Sequence, residues 1–468
     1  MTASSANPAP PAVFTALADH ACRLGFDDLP EAVVRRVEAV LMDLIGSTWV
    51  VLGGPGSRAL WRYASAMNPT PQATLWGTSR QVAVAEAATV NGALGYEAEF
   101  DDGNSLGGHW GSSSIPAILA LAERDGTCAQ EVAVAIVVAY EIGNRVSRLV
   151  SKGLLERGIH FPGTMGAVAA IAGAGRLLGL DRDTLAAALG HAALSPVAPY
   201  LPGHVGADTK NLYSGWPNHC GIHFTALAQA GYLGAADLLE GRDGLAAALG
   251  RPGAPAELAA EALDGLGTRW AISQTYFKAY PCCRWLQAPV RGVIGSMRAN
   301  AIDAMDIASV RVRGPRFLAM YAHGEPCMRP IQGKYSLMYC VGAAAARGAL
   351  GQDEFSADAL DDARIRGLSQ CVEFCVDPVL EAQFPARYET VVELRLRDGR
   401  LFESRDTPPW GPDQPPALDE LAGKFMPIMR AACGDGTAQA WLAWFRGGLQ
   451  ADPSMRNFFD LLRRSAVG

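Results

Sequence analysis

The spacing of apolar residues changes partway along this 468-residue chain, and that change limits the possible folds more than any single motif. Up to about residue 270 apolar positions recur at helical spacing. From Pro30 to Ile45, Val33, Val37, Val40, Leu41 and Leu44 fall on one helical face, and Pro30 sits where a first turn tolerates a missing N–H. Further helices are expected just after Ile115-Pro116, over Gln130 to Val150, over Gly163 to Leu180, and from Asp181 and Thr184 into Leu185 to Leu189. Gly and Ala are dense in these stretches, so the helix backbones can approach closely in a tight bundle. After about Ile272 the pattern alternates instead. Ala308 to Arg313 reads as a strand, and Thr390 to Glu403 as a hairpin turning at Asp398-Gly399, with helices over Ser336 to Leu350 and Ala357 to Ser369 between them.

These periods predict a mainly α protein with a large all-helical domain and a smaller α+β lid domain. The expected boundaries are a disordered tail at 1–14, the helical domain at 15–271, the lid at 272–405, and a Pro-rich linker with helices returning to the helical domain at 406–468. A chain this long exceeds one ordinary core, which agrees with two domains.

Charge and motifs narrow the function. The formal net charge is -7 and no Lys/Arg cluster occurs, so a nucleic-acid footprint is not expected. A few buried cations still suffice to hold a small anion. Apolar runs such as Val132 to Tyr140 stop well short of the ~18 residues of a membrane span. The ten cysteines are scattered, as reduced thiols are, and a soluble, cytoplasmic protein is expected. There is no G-x-G-x-x-G after a strand, no P-loop, no H-E-x-x-H and no paired C-x-x-C, so no cofactor is expected. His219 and His223 have i, i+4 spacing that suits a metal, but no third ligand supports them, and ordinary packing is the expectation.

Four stretches place polar groups in apolar surroundings. The run Glu97-Ala98-Glu99-Phe100-Asp101-Asp102 crowds carboxylates that repel one another unless a cation compensates, and His109 follows it. Arg157 to Thr164, with His160, precedes a helix whose N–H groups can face an anion. Thr209-Lys210-Asn211-Leu212-Tyr213 and Lys278 to Arg284 supply cations. Each stretch alone is equally an ordinary turn or surface loop. Together they offer a base and positive charge, the equipment for removing a proton next to a carboxylate.

These same stretches resemble the MmgE/PrpD family. The similarity is carried by Glu99-Phe100-Asp101-Asp102 to His109 and Ile115-Pro116-Ala117, by Arg157-Gly158-Ile159-His160 through Arg176 to Asp181, by Lys210 to Gly215 and Lys278 to Arg284, and by Lys334-Tyr335-Ser336-Leu337-Met338-Tyr339 and Lys424-Phe425, in matching order. The resemblance implies a homodimer with a pocket between the domains, acting on a small di- or tricarboxylate without metal or organic cofactor. It implies catalytic roles for His109, His160, Lys210 and Tyr339, with Glu99 as a further candidate, and substrate contacts for Asp102, Tyr213, Lys278, Arg284 and Gln287. This chain departs from the family pattern in having Glu99 for Asp, Gly103 for Thr, and Tyr213 and Gln287 for His. A dehydratase-type lyase is therefore the first expectation. Epimerisation of a substituted succinate, decarboxylation of an aconitate-like acid, and an inactive binding relative are the alternatives.

Overall fold

A computed structural model describes residues 12–104, 107–195, 197–322 and 324–467. Most of the expected tail, residues 1–11, lies outside the described residues. The first helix, Val13–Arg23, already begins inside the expected tail, and Val13 and Phe14 are fully buried.

The chain is mainly α. Five long helices, Val84–Glu97, Trp110–Asp125, Ala129–Glu156, Phe161–Leu177 and Leu212–Gln229, pack against one another to form the body. Small residues make the contacts possible: a Cβ on Gly143 would lie 2.6 Å from that of Ala169, and one on Gly221 would lie 2.9 Å from that of Ala170. Asp181 caps the Arg182–Gly190 helix by accepting from the N–H groups of Asp183 and Thr184.

One expected boundary is displaced, for a physical reason. The helix expected after Pro116 begins instead at Trp110 and runs through the proline. Proline removes the N–H that would reach the carbonyl of Ser112. Asn218 of the neighbouring helix stands in, donating its Nδ2 to Ser112 O at 2.8 Å while its Oδ1 accepts from Ala117 N at 2.8 Å. His109 consequently occupies the cap position of this helix.

A four-stranded sheet lies in the second half of the chain, in the order Val372–Val376, Ile307–Gly314, Thr390–Leu396, Leu401–Asp406. The last two strands form the hairpin read at Asp398-Gly399, pairing Thr390 with Asp406 and Arg395 with Leu401. Val372–Val376 is an additional strand, parallel to Ile307–Gly314. Helices Gln287–Ala299 and Leu337–Arg347 pack in this half, sharing a core with the sheet that runs from Cys282 to Leu396.

The larger core spans Val13 to Phe277 and is completed by side chains from Leu421 to Leu462. Those come from helix Leu418–Gly447, broken at Gly434 (φ 81°), and helix Arg456–Arg464. A short antiparallel pair ties Gly103 to Tyr276 and Asn104 to Thr275, bringing the acidic loop beside the loop that carries Lys278. Gly103 is required here, since a Cβ would fall 2.5 Å from the Tyr276 hydroxyl. Among the described residues no helix is long and apolar enough to cross a membrane.

Candidate active site

The acidic loop leaves the C-terminal end of helix Val84–Glu97, where unpaired carbonyls attract cations. Lys210 Nζ donates to Tyr96 O at 3.3 Å and lies 3.4 Å from the centre of the Tyr96 ring, while Lys334 Nζ donates to Ala98 O at 2.7 Å. Burial pushes the Lys334 pKa down to about 7, against the attraction of Glu97. Glu99 follows with φ at 53°, a left-handed conformation that costs a non-glycine residue roughly 1–3 kcal/mol and concentrates at functional sites.

That turn aims the Glu99 carboxylate into a group of buried partners. Lys210 contacts Oε1 directly, Tyr335 donates its hydroxyl to Oε1 at 3.0 Å, and Lys278 lies 3.0 Å from Oε2. Lys278 also stands 3.5 Å from Asp101 Oδ1. Burial, then the neighbouring Lys278 and Lys334, push the Lys210 ammonium well below the usual lysine range. The two lysines and two carboxylates form a quartet of zero net charge, whichever partner of the Lys210–Glu99 contact holds the proton.

Asp101 links this quartet to His109. Its Oδ2 lies 3.1 Å from His109 Nδ1 and accepts from Ser112 Oγ at 2.8 Å. Burial alone would raise the Asp101 carboxyl, but His109, Lys278 and these hydrogen bonds outweigh it and hold the group below the usual carboxylate range. His109 Nδ1 is also 2.7 Å from the backbone carbonyl of Asp102. A carbonyl only accepts, so Nδ1 carries the hydrogen and a neutral His109 keeps its lone pair on Nε2. The next carboxyl in the loop behaves differently. Asp102 is pushed well above its usual range by burial and by Asp43, accepts from Tyr140 OH at 2.6 Å, and lies behind the site.

His160 caps helix Phe161–Leu177, accepting from Gly163 N through Nδ1 at 3.3 Å, with Nε2 3.1 Å from Tyr96 OH. Burial, with His109 and Lys278 nearby, lowers its pKa to about 3, so the ring is neutral. The first-turn N–H of Gly163, expected to face an anion, is taken up by this cap.

Glu99, His109, His160 and Arg284 line one cavity of about 710 Å³, together with Tyr276, Tyr321 and Tyr335. Its walls come from both halves of the chain, including residues 385–388 and 407–414. Lys210 and Lys278 stand immediately behind Glu99. The other expected contacts are placed elsewhere. Tyr339 donates its hydroxyl to Glu354 O and packs its ring on Phe355, away from the cavity. Gln287 closes its own loop, with Oε1 accepting from the N–H groups of Ala279 and Tyr280 and Nε2 donating to the carbonyls of Tyr280 and Cys282. Tyr213 packs on the His160 ring and donates to Pro199 O, which makes it a support for His160 and not a wall of the cavity. His219 stacks on Trp216 and lies beside the tilted ring of His223, and burial followed by His223 lowers the His219 pKa to about 4. Among the described residues no three His, Cys, Asp or Glu side chains converge as a metal site would require.

Tyr276 and Tyr321 were not singled out in the sequence, and the 407–414 segment was read only as a Pro-rich linker. Tyr335 had a signal available, standing next to Lys334 in a quoted motif. Tyr321 and Trp410 had none, because only the folded chain brings them to the cavity.

A helical body that carries a buried acid–base cluster, closed by a sheet-bearing second half, defines a two-part protein with an imidazole and carboxylate cleft. The chain belongs to the MmgE/PrpD family: residues 15–257 match the MmgE/PrpD N-terminal domain and residues 280–443 the MmgE/PrpD C-terminal domain. It is 28% identical over 283 residues to the cis-aconitate decarboxylase of Aspergillus terreus, a match spanning 58% of this chain and 58% of that relative's length. It is 23% identical over 423 residues to the cis-aconitate decarboxylase of Mus musculus, covering 86% of this chain and 83% of the relative. A cis-aconitate decarboxylase-like protein of Aspergillus oryzae is 25% identical over 422 residues, covering 85% and 86%.

Proposed function

We propose that this protein is a lyase that removes a proton from the carbon next to a carboxylate of a small carboxylic acid, expelling a group from the neighbouring carbon. The observation that carries this reading is the Asp101–His109 pair, with His109 at the cavity wall, Asp101 buried behind it, and the Nδ1 hydrogen committed to Asp101 and Asp102 O. His109 Nε2 takes the proton, and Asp101 stabilises the imidazolium that forms. The C–H electron pair becomes the new C=C bond as the β-hydroxyl leaves, and the imidazolium hands its proton to that hydroxyl so that water departs. Negative charge that develops on the substrate carboxylate meets the Arg284 guanidinium, while Lys210 and Lys278 hold the carboxylates of Glu99 and Asp101 in place. Glu99, held by both lysines and Tyr335, fixes where those cations stand. A homodimer in the cytoplasm belongs to the same reading.

The relatives' names put di- and tricarboxylates first in the panel to be tried. Proton NMR in D2O, with purified enzyme and hydroxy- and unsaturated acids, tests the proposal. Alkene formation with loss of water supports it, and loss of CO2 without removal of an α-proton replaces it with a decarboxylase. Deuterium entry next to the carboxylate with only a stereoisomer as product replaces it with an epimerase, and an inert panel that includes Asp101→Asn as a matched control counts against catalysis.

A further inference from the structure

The cavity is large and its charge is already spent. Its volume of about 710 Å³ lies in the roughly 300–1,000 Å³ class that encloses drug-sized ligands, far more room than a compact six-carbon acid fills. Burial divides it. The inner end, at Glu99, His160, Tyr321 and Tyr335, is at most 6% exposed, whereas Pro385, Ala386, Arg387, Thr407, Asp413 and Gln414 at the mouth are open to solvent.

A tricarboxylate needs several uncommitted cations. Lys210 and Lys278 are both neutralised by Glu99 and Asp101. Arg387 is exposed at the mouth and pairs with Glu389 Oε1 at 2.6 Å. Of the described lysines and arginines that line the cavity, Arg284 remains: its guanidinium lies 4.1 Å from the centre of the Tyr276 ring, and among the described residues Nη1 donates to Pro409 O at 3.0 Å. A single well-placed guanidinium answers to a single carboxylate.

The wall beyond Arg284 is aromatic and fixed in place. Trp285 is held edge-on by Phe317 at 4.9 Å and by Tyr388 at 5.1 Å, and Tyr388 donates its hydroxyl to Trp285 O. Trp410 faces the same space from the linker, at φ 56°, where its carbonyl accepts from Phe277 N at 3.0 Å. Rigid aromatic walls suit an apolar partner, since ordering them costs nothing at binding.

We infer that the substrate carries one carboxylate, seated at Arg284, and an aromatic or alkyl arm that runs outward between Trp285, Tyr388 and Trp410. This deepens the reading of the site as a lyase and rests on it for the reacting end. Binding and chemistry are therefore measured separately. Calorimetry of the full-length protein with 3-hydroxybutyrate, 3-hydroxydecanoate, 3-hydroxy-3-phenylpropanoate and citrate reads the arm and the charge count. NMR exchange in D2O reads the chemistry.

The arm-bearing acids are expected to bind about tenfold or more tightly than both 3-hydroxybutyrate and citrate. Trp410→Ala and, independently, Trp285→Ala are expected to bring the ratio between 3-hydroxydecanoate and 3-hydroxybutyrate toward one, and Arg284→Met to weaken the arm-bearing acids about tenfold. Citrate binding as tightly as the arm-bearing acids overturns the inference, as does an unchanged ratio in both folded tryptophan variants or failure of all four acids to bind. Tight binding of the arm-bearing acids without α-hydrogen exchange upholds the inference and counts against the lyase.

Discussion

Replacing Asp101 by Asn separates the charge behind His109 from the hydrogen bond that orients it. At 3.1 Å, with an effective dielectric constant near 20, a full carboxylate would stabilise an imidazolium by about 5 kcal/mol. Lys278, 3.5 Å from the other oxygen of the same carboxylate, cancels part of that field. The Asp102 carbonyl still accepts from Nδ1 in the variant, so the tautomer survives and only the charge is lost. A net loss of about 3 kcal/mol, roughly a hundredfold in turnover, is expected. The assay is alkene formation or deuterium exchange by NMR at saturating substrate, paired with thermal unfolding to show that the variant is folded. Turnover within about threefold of the parent, in a folded variant, would refute His109 as the group that takes the proton.

Lys210→Met is expected to cut turnover by about a hundredfold or more, because it leaves Glu99, Asp101 and Lys278 one positive charge short beside the reacting carboxylate, while Lys278 and Tyr335 still hold Glu99 and the protein stays folded; steady-state rates and a melting curve check it. Gln287→His, which restores the residue usual in the family pattern, is expected to cost about 2–4 kcal/mol in denaturant unfolding and to bring no gain in rate, since an imidazole cannot replace two accepted and two donated hydrogen bonds. His160 predicts a pH dependence. Its folded pKa of about 3 lies below the ordinary 6.5, so the unfolded chain binds the proton first, and stability falls as the pH drops from 6.5 toward 3 by about 1.4 kcal/mol per unit. A His160→Gln variant is expected to show a shallower loss over that window in urea titrations at several pH values.

Much of this protein can be read before it is folded. The helical face of Val33 to Leu44, the Asp181 cap and the Asp398-Gly399 turn are local signals, and each stands where its residues predict. The start of helix Trp110–Asp125 could not be read, because what lets Pro116 sit inside it is Asn218, about a hundred residues later. The parallel strand Val372–Val376 is likewise defined by its partner, Ile307–Gly314, rather than by its own short run. At the site, the acidic loop, His109, Lys210, Lys278 and Arg284 were visible as unusual polar groups in apolar stretches. Tyr339 and Gln287 drew attention by position in a pattern, but their side chains are consumed by nearby backbone. The tyrosines that line the cavity look like any other core residues in one dimension.

The return of the last helices to the first core has a consequence for how the protein is made. Lys424 Nζ reaches Asp43 at 2.7 Å and also donates to the carbonyls of Phe100 and Lys278, the two loops that bring Glu99, Asp101 and Lys278 together. In a chain synthesised from its N-terminus, that clasp can form only after both loops have been made. A nascent chain stopped before residue 418 has both loops but lacks the ammonium that joins them, and leaves Asp43 buried without its counter-ion. A chain cut short before Lys424 therefore carries the loops of the acid–base cluster without the contact that joins them.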